Sequence, residues 1–321
     1  MKEISLMEVG GFAIGNAQNA DAATGLTVIL FDRQTPAGAD VRGGGPASRE
    51  TPLLDPRMAA AGLHALILGG GSAYGLDAAG GVMRWLEAKG IGLPVGPTVV
   101  PLVCQSDIFD LGIGRSDVRP DAAMAMAACE AASHEMPALG NVGVGTGCTV
   151  GKLMGPARAM KTGLGAYAVQ VGELKVGALV AVNAIGDVYE LESGKPLAGL
   201  RGEAPGQFLS SEERLWAMAE AMRQDGMVTN TTIGAVFTNA AFDKGQLCKL
   251  AGMAQDGYAR TIRPVHTMND GDTIYACSTG SVQVPLDLAG TLAAYVMAKA
   301  VNEAARQAES SHGLPAMADW Q

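Results

Sequence analysis

The first third of the chain alternates short apolar runs with segments at helical spacing. Residues 26–31 (LTVILF) and 64–71 (HALILGGG) have the continuous apolar character of buried strands. Residues 73–90 place apolar side chains three and four positions apart and end in glycine, which predicts a helix. A second helix, rich in Ala and Met, is predicted over 119–136. The pattern is strand, tight loop and helix, which favours an α/β fold.

The rest of the chain continues the alternation. Residues 167–191 predict two or three strands in a meander, which we expect to be antiparallel neighbours. Residues 192–212 have no periodicity and predict an exposed connection. The remaining predictions are a helix over 211–224, a strand over 231–238, a helix over 244–260, a polar loop over 266–272, a strand over 273–279 and a helix over 286–307.

Composition adds two constraints. With 321 residues and 48% hydrophobic residues, the chain can bury a large core. Its 44 glycines have no Gly-X-Y period, so they indicate many tight turns and close backbone contacts. An α/β or α+β layered fold follows.

Charge and hydropathy narrow the function classes. The net charge is −9 and Lys and Arg are not clustered, so a nucleic-acid partner is not expected. No apolar run approaches the roughly 18 residues that a membrane span needs, and the N-terminal residues lack the pattern of a secretion signal. We therefore expect a cytoplasmic protein without a membrane partner.

The five cysteines are spaced singly, which argues against a zinc site and is typical of a reducing compartment. Cys148 lies in the glycine-rich segment GVGTGCTVGK and is one candidate nucleophile. The end of that segment resembles a phosphate-binding loop but is one residue short, and Leu153 stands where a Mg²⁺-binding hydroxyl would be. By itself, Lys152 is then a surface lysine.

The segment LILGGGSAYGLDAAGG admits two interpretations. A strand, glycines and a helix N-terminus can hold a pyrophosphate, but Tyr74 occupies the third glycine position of the dinucleotide motif, and no acidic residue follows at the expected distance. The Gly69–Gly75 loop could therefore bind a nucleotide or cofactor, or it could pack tightly and line a substrate site. The substrate-lining candidates in it are Gly70, Gly71, Ser72 and Tyr74.

Two polar segments follow in the last third. Asp270 and Asp272, with His266 upstream, could ligate a hard cation or could form an ordinary Asp-Gly turn before a strand. Asn230 and Thr231 precede the next strand and, taken alone, also form an ordinary turn.

Read together, several motifs change these interpretations. The segments GNAQNADAATGLTVILF, GGGSAYGLDAAGGVMRWLEAKG, GKLMG, AVNAIGDV, TNTTIGAVFTN and HTMNDGDTIYACST occur in this order. In order and spacing, the chain resembles the DmpA-type self-processing aminopeptidases and their relatives, the endo-type 6-aminohexanoate (nylon) oligomer hydrolases. The resemblance spans about residues 8–300, is most specific at NTT and DGDT, and is greatest to the nylon-oligomer branch.

The resemblance implies a single domain with a four-layer α/β/β/α sandwich, and oligomers of αβ units, often four. It also implies that the chain cuts itself between Asn230 and Thr231 into residues 1–230 and 231–321, with Thr231 as the nucleophile. No metal or other cofactor is implied. The other residues that match those kept around the nucleophile are Lys152, Asn183, Asp270 and Asp272.

The implied chemistry assigns each residue a role. The α-amine of an N-terminal threonine can serve as the base for its own hydroxyl, and a nearby Lys152 ammonium would lower the pKa of that amine. The two aspartates would orient Thr231, and Asn183 would donate a hydrogen bond to the oxyanion. Phe109 replaces the tyrosine of the relatives, so the hydroxyl of that tyrosine is missing.

The expected substrate is a small amide: a short peptide, a β-aminoacyl compound or an ω-amino acid oligomer. Two alternatives remain open at this point. One is a cofactor-binding α/β protein that uses the Gly69–Gly75 loop, and the other is a family member that no longer processes itself.

Overall fold

Two β-sheets lie face to face in the computed structural model, which describes residues 1–220 and 230–320. In the six-stranded sheet neighbouring strands are antiparallel, except for one parallel pair, Thr231–Ala240 with Thr273–Val282. Helix Lys244–Thr261 connects these two strands, as a parallel pair requires. In spatial order the strands are Lys2–Ile4, Leu164–Val171, Leu174–Asn183, Thr231–Ala240, Thr273–Val282 and Ala37–Val41.

The five-stranded sheet is built in the same way. Its parallel pair, Leu63–Gly69 with Val103–Asp107, is connected through helix Ala79–Ala88. In spatial order the strands are Phe12–Asn19, Thr24–Thr35, Leu63–Gly69, Val103–Asp107 and Ala47–Arg49.

Shorter elements complete the described chain. The other α-helices are Ala122–Ala131, Ser211–Glu220 and Leu286–Arg306. The minor strands are Leu93–Val95 with Thr98–Val100, Thr149–Val150 with Met160–Lys161, and Pro196–Ala198 with Asp187–Tyr189 and Ile262–Arg263. Short 3₁₀ helices span Leu6–Val9, Thr51–Leu54, Ser72–Ala78, Gly143–Gly147, Pro156–Arg158 and Met317–Asp319.

Three apolar layers hold the sheets and helices together. Side chains such as Phe12, Leu66 and Phe237 pack between the two sheets. The outer face of the six-stranded sheet packs on helices Lys244–Thr261 and Leu286–Arg306, and that of the five-stranded sheet on helices Ala79–Ala88 and Ala122–Ala131. The layer order is α/β/β/α, which confirms the predicted fold class.

The observed elements refine the predicted bounds. The helix predicted over 73–90 begins as the 3₁₀ helix Ser72–Ala78 and becomes α-helical at Ala79. The helix predicted over 119–136 is shorter, because the Asp121 side chain caps it by accepting from the Met124 N–H at 2.8 Å. The end of the helix predicted over 211–224 lies outside the described residues. Within the described chain, no helix is both long and apolar enough to span a membrane.

Candidate active site

Thr231 is the first residue of a central strand, and the alternation of that strand sets where its side chain points. Thr231 shares a face with Ile233 and Phe237, which pack between the sheets, whereas Thr232 shares the opposite face with Val236 beneath the helices. The two adjacent threonines therefore lie in different environments, although both are buried.

The peptide bond between Asn230 and Thr231 is fixed by three hydrogen bonds. The Thr231 hydroxyl donates to the Asn230 carbonyl oxygen. The Gly271 N–H donates to the same oxygen at 3.0 Å, and the Asn230 N–H donates to the Asn269 carbonyl at 2.9 Å. A hydroxyl and an amide N–H thus converge on one carbonyl group.

The turn that carries Gly271 is tied to the strand of Thr231. Asp272 accepts from the Thr232 N–H at 2.8 Å through Oδ1, while Oδ2 accepts from the His266 N–H at 2.9 Å and lies 3.0 Å from His266 Nδ1. A Cβ atom at position 271 would lie 2.7 Å from Thr231 Oγ1, so only glycine permits this approach.

Asp270 stands beside the same peptide bond, since it forms a parallel bridge with Asn230. Its Oδ2 accepts from the Thr267 N–H at 2.9 Å and the Thr267 hydroxyl at 2.6 Å. Its buried Oδ1 has no hydrogen-bond partner among the described residues. One carboxylate oxygen of the residue bridged to Asn230 is therefore available for a further hydrogen bond.

Asn183 lies directly across from Thr231 in the antiparallel strand pair and holds Lys152. Lys152 Nζ donates to the Asn183 carbonyl at 2.9 Å and to its Oδ1 at 2.8 Å. Asn183 Nδ2 donates to the Phe109 carbonyl at 2.8 Å. One of the two side-chain N–H groups of Asn183 is thus engaged by Phe109, whereas the Gly271 N–H contacts the Asn230 carbonyl. The oxyanion role of Asn183 stays a prediction.

Burial shifts the pKa values of Lys152 and Asp270 toward neutral pH. Burial lowers the pKa of Lys152 to about 7, although the nearby Asp270 and Asp110 carboxylates oppose the shift. Burial, and then the adjacent Asp272 charge, raises the pKa of Asp270. The expectation of a solvated surface lysine is wrong, because Lys152 is only 8% exposed.

Cys148 does not have the environment of a nucleophile. It is fully buried, and burial raises the pKa of its thiol to about 12, so that the thiolate is scarce at neutral pH. Its Sγ points at the Val144 carbonyl, 3.6 Å away. Cys148 is a core residue.

The side-chain contacts of His266, Asp270 and Asp272 also argue against the predicted cation site. His266 and Asp272 bond to each other, and Asp270 bonds to Thr267. Across residues 1–220 and 230–320, no group of three or more His, Cys, Asp or Glu side chains is placed to hold a metal ion.

The Gly69–Gly75 loop does not offer its amides to a phosphate. The Gly70 N–H donates to the Gly25 carbonyl at 2.9 Å, that of Gly71 to Asp110 Oδ1 at 2.7 Å, and that of Ser72 to the Ile108 carbonyl at 2.9 Å. Two buried carboxyl groups, Asp107 and Asp110, lie beneath the loop. The loop is closed by internal bonds, which argues against the nucleotide alternative.

A cavity of about 490 Å³ opens beside Lys152. Phe109 lines it, whereas Gly70, Gly71, Ser72 and Tyr74 are not among its lining residues in the described chain. Tyr74 is 62% exposed and stacks on the Arg119 guanidinium. The lining consists of Phe109, Asp110, Gly112, Ile113, Gly114, Thr149, Lys152, Pro156, Ala157, Ala159, His312, Gly313 and Leu314.

Comparison with known proteins assigns the family. The sequence model of peptidase family S58 matches residues 5–316. The chain belongs to peptidase family S58. It is thus a hydrolase of the aminopeptidase type, and the resemblance drawn from its motifs is confirmed.

Curated relatives carry two kinds of name. An uncharacterised aminopeptidase of Mycobacterium tuberculosis is 38% identical over 98% of this chain and 97% of its own length. A 6-aminohexanoate-oligomer endohydrolase of Kocuria sp. is 29% identical over 95% of this chain and 87% of its own length.

Solved structures support the fold. An L-aminopeptidase D-Ala-esterase/amidase from Ochrobactrum anthropi, described as a variant of the Ntn hydrolase fold, superposes with a TM-score of 0.70. It is 18% identical and the match covers 97% of this chain and 88% of that one. A Burkholderia sp. β-aminopeptidase gives a TM-score of 0.68 at 21% identity, over 98% of this chain and 90% of that one.

The structure adds two residues whose part in the site the sequence did not reveal. His266 entered only as a possible metal ligand, and Gly271 only as the middle of a turn. A weak signal existed for both, since a histidine and two aspartates within seven residues is an unusual density of polar groups before a buried strand. The contact of Gly271 with the Asn230 carbonyl depends on long-range pairing, which the sequence does not display.

Proposed function

We propose that this S58 hydrolase activates itself by cutting the Asn230–Thr231 bond and then hydrolyses amides with the new N-terminal Thr231 as nucleophile. One observation carries the proposal: the Thr231 hydroxyl and the Gly271 N–H both contact the Asn230 carbonyl oxygen. The first group is placed beside the bond that it would attack, and the second is placed where negative charge would develop.

The cut follows from these positions. Neutral Lys152, whose pKa burial lowers to about 7, takes the Thr231 hydroxyl proton as Oγ1 adds to the Asn230 carbonyl carbon. The Gly271 N–H stabilises the oxyanion. The C–N bond then breaks, the proton passes to the Thr231 nitrogen, and an ester between Asn230 and Thr231 Oγ1 remains. Water hydrolyses that ester to the Asn230 carboxylate and the free Thr231 hydroxyl.

The same site then serves a separate substrate. The Thr231 α-amine becomes the general base, and the unpartnered Asp270 Oδ1 can accept a hydrogen bond from it. A substrate carbonyl takes the position that Asn230 leaves, beside the Gly271 N–H. Attack by Thr231 Oγ1 releases the amine, and water releases the acid from the acyl-enzyme.

Asp272 and His266 are positioning residues in this scheme. Asp272 fixes the main chain at Thr232, next to the nucleophile, and His266 holds the second oxygen of Asp272 with two donors. Lost hydrogen bonds to a buried carboxylate would loosen the strand start. We further expect a small amide or short peptide as substrate and a homo-oligomer of αβ units.

Mass analysis of the purified chain tests the proposal. We expect pieces of 230 and 91 residues, the smaller beginning Thr-Thr-Ile-Gly, together with release of p-nitroaniline from aminoacyl anilides. A chain that stays at 321 residues and still hydrolyses these anilides would contradict self-activation. Loss of both reactions on addition of a chelator, with recovery on addition of Zn²⁺, would contradict the metal-free mechanism.

A further inference from the structure

The residues that line the cavity beside Lys152 become more buried from its rim to its inner end. Its outer rim is formed by exposed residues, including Gly112, Ala157 and Gly313, whereas Thr149 and Lys152 at its inner end are buried. A group entering from solvent would therefore reach Lys152 last.

That inner end is connected to Thr231 through Asn183. Lys152 is bonded to Asn183, and Asn183 is the strand partner of Thr231. A substrate whose carbonyl lies at Thr231 can therefore extend its adjoining side chain into the cavity.

Most of the cavity lining is apolar. Phe109, Ile113 and Leu314 supply the large side chains, and Pro156, Ala157 and Ala159 supply smaller surfaces. The two ionisable groups at the inner end already have partners: Asp110 accepts from Thr24 at 2.7 Å and Lys152 donates to Asn183 at 2.8 Å. The lining favours an uncharged apolar side chain.

One wall is a rigid turn near the C-terminus. Ser311 and Leu314 exchange main-chain hydrogen bonds of 3.0 and 2.9 Å, with His312 and Gly313 at φ of 52° and 75° between them. Two successive residues with positive φ form the tight turn of a two-residue hairpin. The Lys161 N–H holds the following Pro315 carbonyl at 2.9 Å. The position of Leu314 is therefore fixed.

We propose that this cavity binds the side chain of the acyl residue of the substrate, and that Ala157 and Leu314 from its two walls select apolar aminoacyl groups of leucine or phenylalanine size. The inference rests on the proposed function. The acyl part is chosen over the leaving amine because it stays attached to Thr231 through the acyl-enzyme stage, whereas the amine must depart. A volume of about 490 Å³ accommodates either side chain.

Glycyl, leucyl and phenylalanyl p-nitroanilides test this selection with a constant leaving group. Burial of the larger side chains should raise kcat/KM over the glycyl substrate roughly 10- to 100-fold. Ala157→Trp should fill the cavity and lower the leucyl and phenylalanyl values about 10-fold more than the glycyl value. Ala88→Trp, at an exposed alanine of helix Ala79–Ala88, is the matched control and should leave all three values unchanged. Leu314→Ala should widen the cavity and raise the phenylalanyl-to-leucyl ratio.

Self-cleavage shows whether a loss of anilide hydrolysis comes from the filled cavity or from a misfolded protein. Its substrate is the Asn230 carbonyl already in place, so an Ala157→Trp protein that cuts itself is folded and retains its nucleophile. Equal losses on all three anilides in that protein would overturn the cavity assignment and leave the proposed function intact. A parent that cuts itself but hydrolyses none of the three would also overturn it.

The leaving group provides the second test. The effect of Ala157→Trp should be the same for leucinamide and leucyl p-nitroanilide. A loss confined to the bulky anilide would assign the cavity to the leaving amine and overturn the inference. An uncut parent would instead refute the proposed function.

Discussion

Two glycine-containing loops of this chain, Gly69–Gly75 and His266–Asp272, are both candidate ligand-binding loops in sequence, the first for a nucleotide and the second for a cation, but they differ in structure. In the first loop the amides of Gly70, Gly71 and Ser72 donate to the Gly25 carbonyl, the Asp110 carboxylate and the Ile108 carbonyl, respectively. In the second, the Gly271 amide donates to the carbonyl of the Asn230–Thr231 peptide bond.

The carboxylates of the two loops differ in the same way. Asp110 turns inward and accepts from the Gly71 N–H and the Thr24 hydroxyl, so it closes the first loop. Asp272 accepts from the Thr232 N–H and so joins the second loop to strand Thr231–Ala240. The direction of amides and carboxylates, rather than the number of glycines, distinguishes a loop that bonds to itself and its supports from one that contacts the Asn230–Thr231 peptide bond.

The largest effect should come from Thr231 itself. Thr231→Ala removes the hydroxyl beside the Asn230 carbonyl, so we expect a chain that stays whole and has no amide hydrolysis above background. Thr232→Ala is the matched control: its side chain faces the helices, and the chain should still be cut at the same bond. Gel and intact mass measure both. Anilide hydrolysis by Thr231→Ala at the parental rate would refute the nucleophile.

Lys152→Met should have the next largest effect. Loss of a positioned general base typically lowers a rate about 10²- to 10⁴-fold, and we expect that loss in self-cleavage. Hydrolysis should fall with it, because an uncut chain lacks the Thr231 α-amine. Lys249→Met removes an exposed lysine and should change neither rate. Parental rates of a Lys152→Met protein across neutral pH would show that Lys152 is not the general base.

The pH dependence of self-cleavage follows from the same residue. Burial lowers the pKa of Lys152 to about 7, and the base is its neutral form, so the rate should rise as pH increases through about 7 and then level off. Single-turnover measurements on freshly refolded chain would show the profile. A rate that falls over this range would mean that the ammonium form is required.

Substitution of one glycine in each loop tests the comparison directly. Gly271→Ala places a Cβ atom 2.7 Å from Thr231 Oγ1 and should displace the hydroxyl, slowing self-cleavage about 100-fold. Gly71→Ala strains a residue at φ of 84° and should cost about 1–2 kcal/mol of unfolding free energy while cleavage proceeds. Denaturant unfolding and cleavage time courses separate the outcomes. Equal slowing of cleavage in both variants would contradict the distinction.

The smallest effect should come from His266. His266→Ala removes the Nδ1 contact with Asp272 but leaves the main-chain donor, so we expect about a 10-fold loss of kcat with little change in KM. His266→Gln, which retains a side-chain donor, should recover part of that loss. An unchanged kcat in His266→Ala would show that the main-chain contact alone positions Asp272.

The sequence by itself determined the layered fold and the main elements. The predicted strands at 26–31 and 273–279 lie within Thr24–Thr35 and Thr273–Val282, and the predicted helix over 286–307 matches Leu286–Arg306. These predictions succeeded because apolar spacing is a local property that the chain displays directly. The motif order also identified the family, since NTT and DGDT stand at fixed places along the chain.

Only the tertiary structure decided how the site residues meet. The hydrogen bond from Asn183 to Phe109 joins positions 74 residues apart, and that from Thr232 to Asp272 joins positions 40 apart. Strand register placed Asn183 across from Thr231, burial moved the pKa of Lys152, and the path of the turn aimed the Gly271 amide at the Asn230 carbonyl. Register, burial and amide direction arise from contacts between distant segments, so no local pattern of residues encodes them.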